Sequence, residues 1–255
     1  MRTFSRLGWL SAGYRGMRDG ALLGLAELDQ IGSPARYTYR VNGMALTVRR
    51  WTTDRLIVDE VVKRIPFPQL RAGDTVLDLG AHIGSFSILA ARAGARVLAF
   101  EPEPSNFSLL EENVRPYPAV EAVPLAVAGA SGTRMMRRQV RCSTSGWSFL
   151  ESRGDSQRAD CISLSEILEH WRLAHVDLLK LNVEGAEYEI MRASPIAVLR
   201  KARRIFLEFH DYHGQDSSEI ARKLEGAGYR VMTRPEMLYR LTGIGYIDAI
   251  RSDEG

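Results

Sequence analysis

The run Thr75–Leu89, TVLDLGAHIGSFSIL, constrains this chain more than any other stretch. Strand-like residues lead into two glycines four apart, Gly80 and Gly84, and an apolar segment follows at once. A buried strand, a glycine turn and a helix in that order are how α/β proteins bring backbone N–H groups up to a cofactor. The turn therefore predicts a parallel sheet with a ligand at the carboxyl ends of its strands.

The rest of the chain repeats that unit. ARVLAFEPEP reads as a second strand, AVEAVPLAVAG as a third, VDLLKLNVEG as a fourth and RRIFLEFH as a fifth. Between and around them TTDRLIVDEVVKRI, SNFSLLEENVRPY, LSEILEHWRL, AEYEIMRAS and SSEIARKLEGAG read as helices, with Ser105 as the N-cap of the second. YRVMTR and IGYIDAI form a closing antiparallel pair. Apolar strands separated by such helices imply an α/β fold, a seven-stranded, mostly parallel sheet with helices on both faces and a closing antiparallel hairpin. A chain of 255 residues with 45% hydrophobic content suffices for one such core.

Two regions stand apart. Residues 1–50 read as an N-terminal cap: a short helix, DGALLGLAELDQIG, then a hairpin, RYTYRVNGMALTVRR, turning at Asn42-Gly43. Residues 51–255 form the main domain, within which 131–158 fits neither the helix nor the strand period. A segment of that length reads as a lid-like insert.

Composition excludes several classes. Of 34 basic residues only Lys63, Lys180, Lys201 and Lys223 are lysines, and the net charge is +3. Arginines are interspersed with acids along most of the chain, so no nucleic-acid partner is expected. The two cysteines, Cys142 and Cys161, have no His or Cys at ligand spacing, which argues against a zinc site or a disulfide framework. No run of eighteen apolar residues and no signal-peptide core occurs, so the expected location is cytoplasmic, without a membrane span.

Which cofactor the turn serves follows from what it lacks. The dinucleotide pattern G-x-G-x-x-G requires a middle glycine, and Ala81 and His82 stand there instead. A smaller ligand fits better. Glu101, at the end of the second strand, is placed to accept hydrogen bonds from both ribose hydroxyls, a position that dinucleotide enzymes also fill with an acid.

In order, VLDLGAHIGSFSILAARAGARVLAFEPEPSNFSLLEENV, VPLAVAGASG, DLLKLNVEGAEYEIMRAS and RRIFLEFH resemble the FkbM family of class I S-adenosylmethionine-dependent methyltransferases, over about residues 54–210. The K-x-x-V-E-G-A-E element is the most specific part. The resemblance implies a Rossmann-like class I methyltransferase fold, S-adenosyl-L-methionine as donor, S-adenosyl-L-homocysteine as product, and no metal. It assigns Asp78, Gly80, Ala81, His82 and Gly84 to the donor's amino-acid end and Glu101 with Pro102 to its ribose. Asn106 approaches the ribose or supports the turn. Phe86 reads as helix core in preference to a contact with the donor's sulfonium, though it is kept among the donor residues, and Ala126 presents backbone groups to the adenine.

The implied reaction is O-methylation of a hydroxyl on a small molecule, a sugar or a natural-product scaffold. An RNA or nucleobase methyltransferase and a non-catalytic donor-binding scaffold stay open as alternatives, as does a homodimer. A hydroxyl must shed its proton as it accepts a methyl group, which requires a base at the rim. His210 is the first candidate, since an unperturbed imidazole is partly free to accept a proton at neutrality, with Glu184 and Glu208 left open as the base. Glu208, on the same strand face, orients it, and Glu184 orients the acceptor or binds the donor's amino group. Asn182 stands where the family usually has Asp, and an amide adds no charge to a metal cluster.

Overall fold

A computed structural model describes residues 34–63, 69–138, 144, 147–149, 154–211, 214–235 and 243–252. The helix expected at 19–32 lies outside them. Arg36–Val41 (β1) and Met44–Arg49 (β2) form the expected hairpin, with Asn42 and Gly43 both at positive φ, as a tight turn between twisted strands demands. Asp54–Lys63 (α1) follows. The glycine unit is Thr75–Leu79 (β3) and Ser85–Arg92 (α2), and the next is Arg96–Phe100 (β4) and Pro104–Val114 (α3).

Helix α3 starts two residues earlier than the sequence reading has it. Its N-cap is Glu103, whose carboxylate accepts from the Asn106 N–H, and not Ser105. Pro104 supplies the reason, since proline is favoured at the first helical position, where no N–H is needed. The third expected strand is split into Val120–Val123 (β5) and Ala126–Ala128 (β6) around Pro124. Gly132–Arg138 (β7) and Asp155–Ser163 (β8) pair antiparallel, and β8 also pairs with β6, giving a three-stranded side sheet. Much of the 131–158 insert is thus a ribbon.

Leu164–His170 (α4), with a Ser163/Glu166 capping box, leads to Val176–Leu181 (β9), Glu187–Ala193 (α5), Ile196–Leu199 (α6) and Ala202–His210 (β10). Ser217–Gly226 (α7), Tyr229–Pro235 (β11) and Ile244–Arg251 (β12) complete the order. The main sheet runs β11-β12-β10-β9-β3-β4-β5, and β12 is antiparallel to both its neighbours. This is the Rossmann-like class I methyltransferase arrangement: five parallel strands, with the closing hairpin inserting its last strand next to β10.

Alternation along the strands explains why both faces are covered. Leu77, Leu79, Leu98, Phe100, Leu179 and Leu207 point into one core with α4, α5 and α7. Val76, Val97, Ala99, Leu178 and Phe206 point into the other with α1, α2 and α3. The hairpin contributes Met44, Leu46 and Val48 to that second core, all essentially unexposed, so it is built into the domain's own interior. Among the described residues no helix is long and apolar enough to cross a membrane.

Candidate active site

Between β3 and β9 the chain leaves the sheet in opposite directions, toward β4 on one side and β10 on the other. In open α/β sheets that divergence makes the ligand crevice. The turn after β3 is stitched in place: the N–H groups of Gly80 and Ala81 both donate to the Phe100 carbonyl. Gly80, at φ +80°, passes so close to the β9 exit that a Cβ there would lie 1.8 Å from the Asn182 carbonyl oxygen. Only glycine permits that approach. Gly84, at φ +94°, starts α2, and His82 also takes a positive φ.

Beneath the turn lies a buried ion pair. Asp78 and Lys180 are register partners on β3 and β9, and their charged atoms are 2.8 Å apart. The Lys180 ammonium also donates to the Gly80 carbonyl at 2.8 Å, and the Ser87 hydroxyl donates to Asp78 at 2.6 Å. Asp78 is therefore a strut under the turn, fully buried, and not a surface that a ligand touches. Phe86 is 2% exposed within the second core, with Lys180 over its ring, so its core role prevails. Ala126 lies inside β6, opposite Cys161 and packed with Met136 and Ala159; its backbone borders a strand instead of opening on the rim.

Glu101 ends β4 with its carboxylate almost fully enclosed. It accepts from the His82 N–H at 2.9 Å, the Glu103 N–H at 3.0 Å and the Asn106 side-chain amide at 3.3 Å. Burial pushes its carboxyl up to about 7 against those hydrogen bonds. Pro102, half-buried, links it to the α3 cap. Asn106 is a support: its amide donates to the Thr144 carbonyl, and its oxygen accepts from Arg49. The His82 ring is 2.9 Å from the Thr144 hydroxyl and 3.5 Å from Asp54, and burial pulls its pKa down to about 4, so it is neutral at pH 7. Its Nδ1 is buried and has no partner among the described residues. Burial alone raises Asp54, but hydrogen bonds and charge from Arg49 outweigh it and hold the carboxyl below its usual range.

The second half of the rim gathers the other four expected residues. The Asn182 amide donates to Glu208 at 2.9 Å, and its oxygen is buried with no partner among the described residues. Glu184, at φ +52°, presents its carbonyl to the Ser148 hydroxyl at 2.6 Å. His210 is 1% exposed; its Nδ1 is 3.2 Å from Glu187, and its Nε2 is 3.6 Å from Glu184 and 3.7 Å from Glu208. Burial alone lowers the imidazole, but the three carboxylates outweigh it, led by Glu187 and Glu184, and hold the ring well above its ordinary pKa. A ring held this high favours its protonated form at neutrality, which weighs against the expected use of His210 as proton acceptor. Glu208 moves the other way from a typical carboxylate, raised by burial against the attraction of His210.

Asn182 now has a physical reason. An Asp there would add another negative charge beside Glu208, whereas the amide donates a hydrogen bond to it. Among the described residues no cluster of His, Cys, Asp and Glu is disposed to hold a metal ion. Four participants were not singled out as site residues from the sequence: Lys180, Glu187, Arg49 and Thr144. A lysine inside an apolar strand run was the one visible signal, because a buried charge requires a partner.

Comparison with known proteins gives the family. The family model described as the methyltransferase FkbM domain matches residues 78–231. The 31-O-demethyl-FK506 methyltransferase FkbM of Streptomyces tacrolimicus is 28% identical over 217 residues, covering 72% of this chain and 83% of that protein. The hexuronic acid methyltransferase AglP of Haloferax volcanii is 25% identical over 211 residues, covering 83% of this chain and 84% of that protein. Among solved structures, Aeropyrum pernix fibrillarin with natively bound S-adenosyl-L-methionine superposes with a TM-score of 0.49 at 14% identity, over 86% of this chain and 85% of that one. The family model spans more than half of the chain, including the glycine turn, Glu101 and the whole second rim, and the protein belongs to the FkbM family of S-adenosylmethionine-dependent methyltransferases.

Proposed function

We propose that the chain transfers the methyl group to a hydroxyl oxygen of a small molecule or sugar, with Glu208 as the group that accepts the hydroxyl's proton. The observation that carries this reading is the state of Glu208: a buried carboxylate of raised basicity, fixed by the Asn182 amide and flanked by the His210 imidazolium. Its side chain is 14% exposed against 2% for His210, so it is the more reachable of the two. Burial holds the Glu208 carboxyl up at about 8, so it is a strong base once ionised and accepts the hydroxyl's proton increasingly as pH approaches that value. His210 then stabilises the charged form of Glu208 and takes no proton itself.

The residues around the glycine turn and the exit of β9 fit the donor. The Asn182 oxygen and His82 Nδ1 are buried polar atoms awaiting a partner, and the Glu101 carboxylate keeps acceptor capacity suited to a diol. Glu101 would hold the ribose hydroxyls, and the Gly80–Gly84 turn the amino-acid end. Bound there, S-adenosylmethionine supplies a methyl group carried on a sulfonium. The insert supports the role of a cover, since Thr144 contacts His82 and Asn106 while Ser148 contacts Glu184, one residue at each half of the rim. The names of the two relatives give 31-O-demethyl-FK506 and hexuronic acid as what they methylate, which supports a hydroxylated acceptor here.

Two experiments test this. Incubation with donor and a panel of hydroxylated acceptors, read as S-adenosylhomocysteine formed and acceptor mass raised by one methyl, should return an O-methyl product; methylation only at nitrogen or carbon overturns the reading. Donor binding should depend on pH in a defined sense. Glu101 must be ionised to accept from a diol, so affinity for S-adenosylhomocysteine should be flat above about pH 7 and fall below it, by up to about tenfold per unit. Glu101→Ala should weaken binding by about 1–3 kcal/mol and abolish the slope. Calorimetry from about pH 5.5 to 8.5 checks both, and a slope that survives the substitution removes Glu101 from the contact.

A further inference from the structure

Glu187 has no place in the reaction described so far, yet its side chain is completely buried against the rim. A single carboxylate oxygen, Oε1, lies 3.2 Å from His210 Nδ1 and accepts the Val183 N–H at 3.1 Å. That oxygen joins two separate elements: the loop leaving β9, which carries Asn182 and Glu184, and the last residue of β10. The distances around the imidazole are unequal in a telling way. Among the described residues the shortest carboxylate contact is at Nδ1, whereas Nε2 sits 3.6 and 3.7 Å from Glu184 and Glu208, in charge contact with both. The ring is therefore fixed from its Nδ1 side.

We propose that Glu187 is a positioning residue, which grips the His210 ring through Nδ1–H so that Nε2 stands between Glu184 and Glu208. This rests on the reading of Glu208 as proton acceptor, since the imidazolium so held is what steadies that carboxylate. The charges facing the pair come from every side: Glu187 from α5, Glu184 from the loop before it, Glu208 from β10 itself, and Glu60 of α1 toward Glu208. Of the three facing the ring, Glu187 is the least exposed and makes the shortest contact, so its charge is the least screened by water.

The test is an NMR titration of the histidine rings in the full chain, with His210→Gln identifying the His210 signal. Glu187→Gln keeps the side chain's shape and an accepting oxygen but removes the charge, and should lower the His210 midpoint by about one pH unit or more, tenfold in proton affinity. Glu187→Asp, one methylene shorter, should fall between wild type and Gln. Affinity for S-adenosylhomocysteine should stay within about threefold of wild type in both variants, because Glu187 bonds Val183 and His210 and neither the Gly80–Gly84 turn nor Glu101. An unchanged midpoint in folded Glu187→Gln overturns the proposal, and if that variant does not fold, an unchanged midpoint in Glu187→Asp does so. Failure of the wider reading looks different: Glu208→Gln would keep its turnover while the His210 titration still responded to Glu187.

Discussion

Lys180→Met is expected to destabilise the protein by about 3–5 kcal/mol, because it leaves the fully buried Asp78 carboxylate without its counter-charge. At about 2–4 °C per kcal/mol for a domain of this size, the melting temperature should drop by roughly 6–20 °C. The loss also reaches the donor site, since the same ammonium props the Gly80 carbonyl. A second substitution separates charge from packing. Adding Asp78→Asn removes the stranded charge, and the double variant should regain a large part of the lost stability, as neutral replacement of a buried pair generally costs far less than breaking it. Urea unfolding of the four proteins measures this cycle. A single-variant loss below about 1 kcal/mol would mean that water reaches the pair and that the strut is no strut.

Glu208→Gln should cut turnover by about 10²–10⁴-fold, the range associated with loss of a positioned proton acceptor, while affinity for S-adenosylhomocysteine stays within a few-fold. Its stability should move the opposite way. A carboxyl whose folded pKa is raised contributes stability that is complete below its unfolded pKa and is lost as pH rises through the folded value. Wild-type protein therefore loses this contribution on going from acidic to alkaline pH, and the glutamine, which never ionises, does not. Above neutrality the inactive variant should be at least as stable as the active one. Thermal melts across that range, set beside turnover on the acceptor found by screening, read both halves of the prediction. Turnover that is preserved, or lost together with folding, removes Glu208 from the role given to it.

The strand order and the turn were legible because they depend on local pattern. Alternating apolar residues, paired glycines and Asn42-Gly43 act over a few positions each, and the structure keeps them. What escaped depends on register or on convergence. Lys180 and Asp78 lie about a hundred residues apart and meet only because β3 and β9 pair in one register. His210 reads as a near-neutral base by itself; three carboxylates from two elements and a loop reverse that, and none is adjacent to it in sequence. The start of α3 was readable in principle from Glu103-Pro104, since proline fixes the first helical position and hence the cap before it. The ribbon in the insert was hidden by its arginines. Gly132–Arg138 alternates weakly, and its buried face is completed by Trp147 and Phe149, over which Arg138 and Arg134 lie.

Thr144 is fastened to His82 and Asn106, and Ser148 to the carbonyl of Glu184. Four residues of extended chain reach at most about 13–14 Å, so the two moorings share one short tether. Without one knot slipping, the two banks of the crevice can part no further than that length allows.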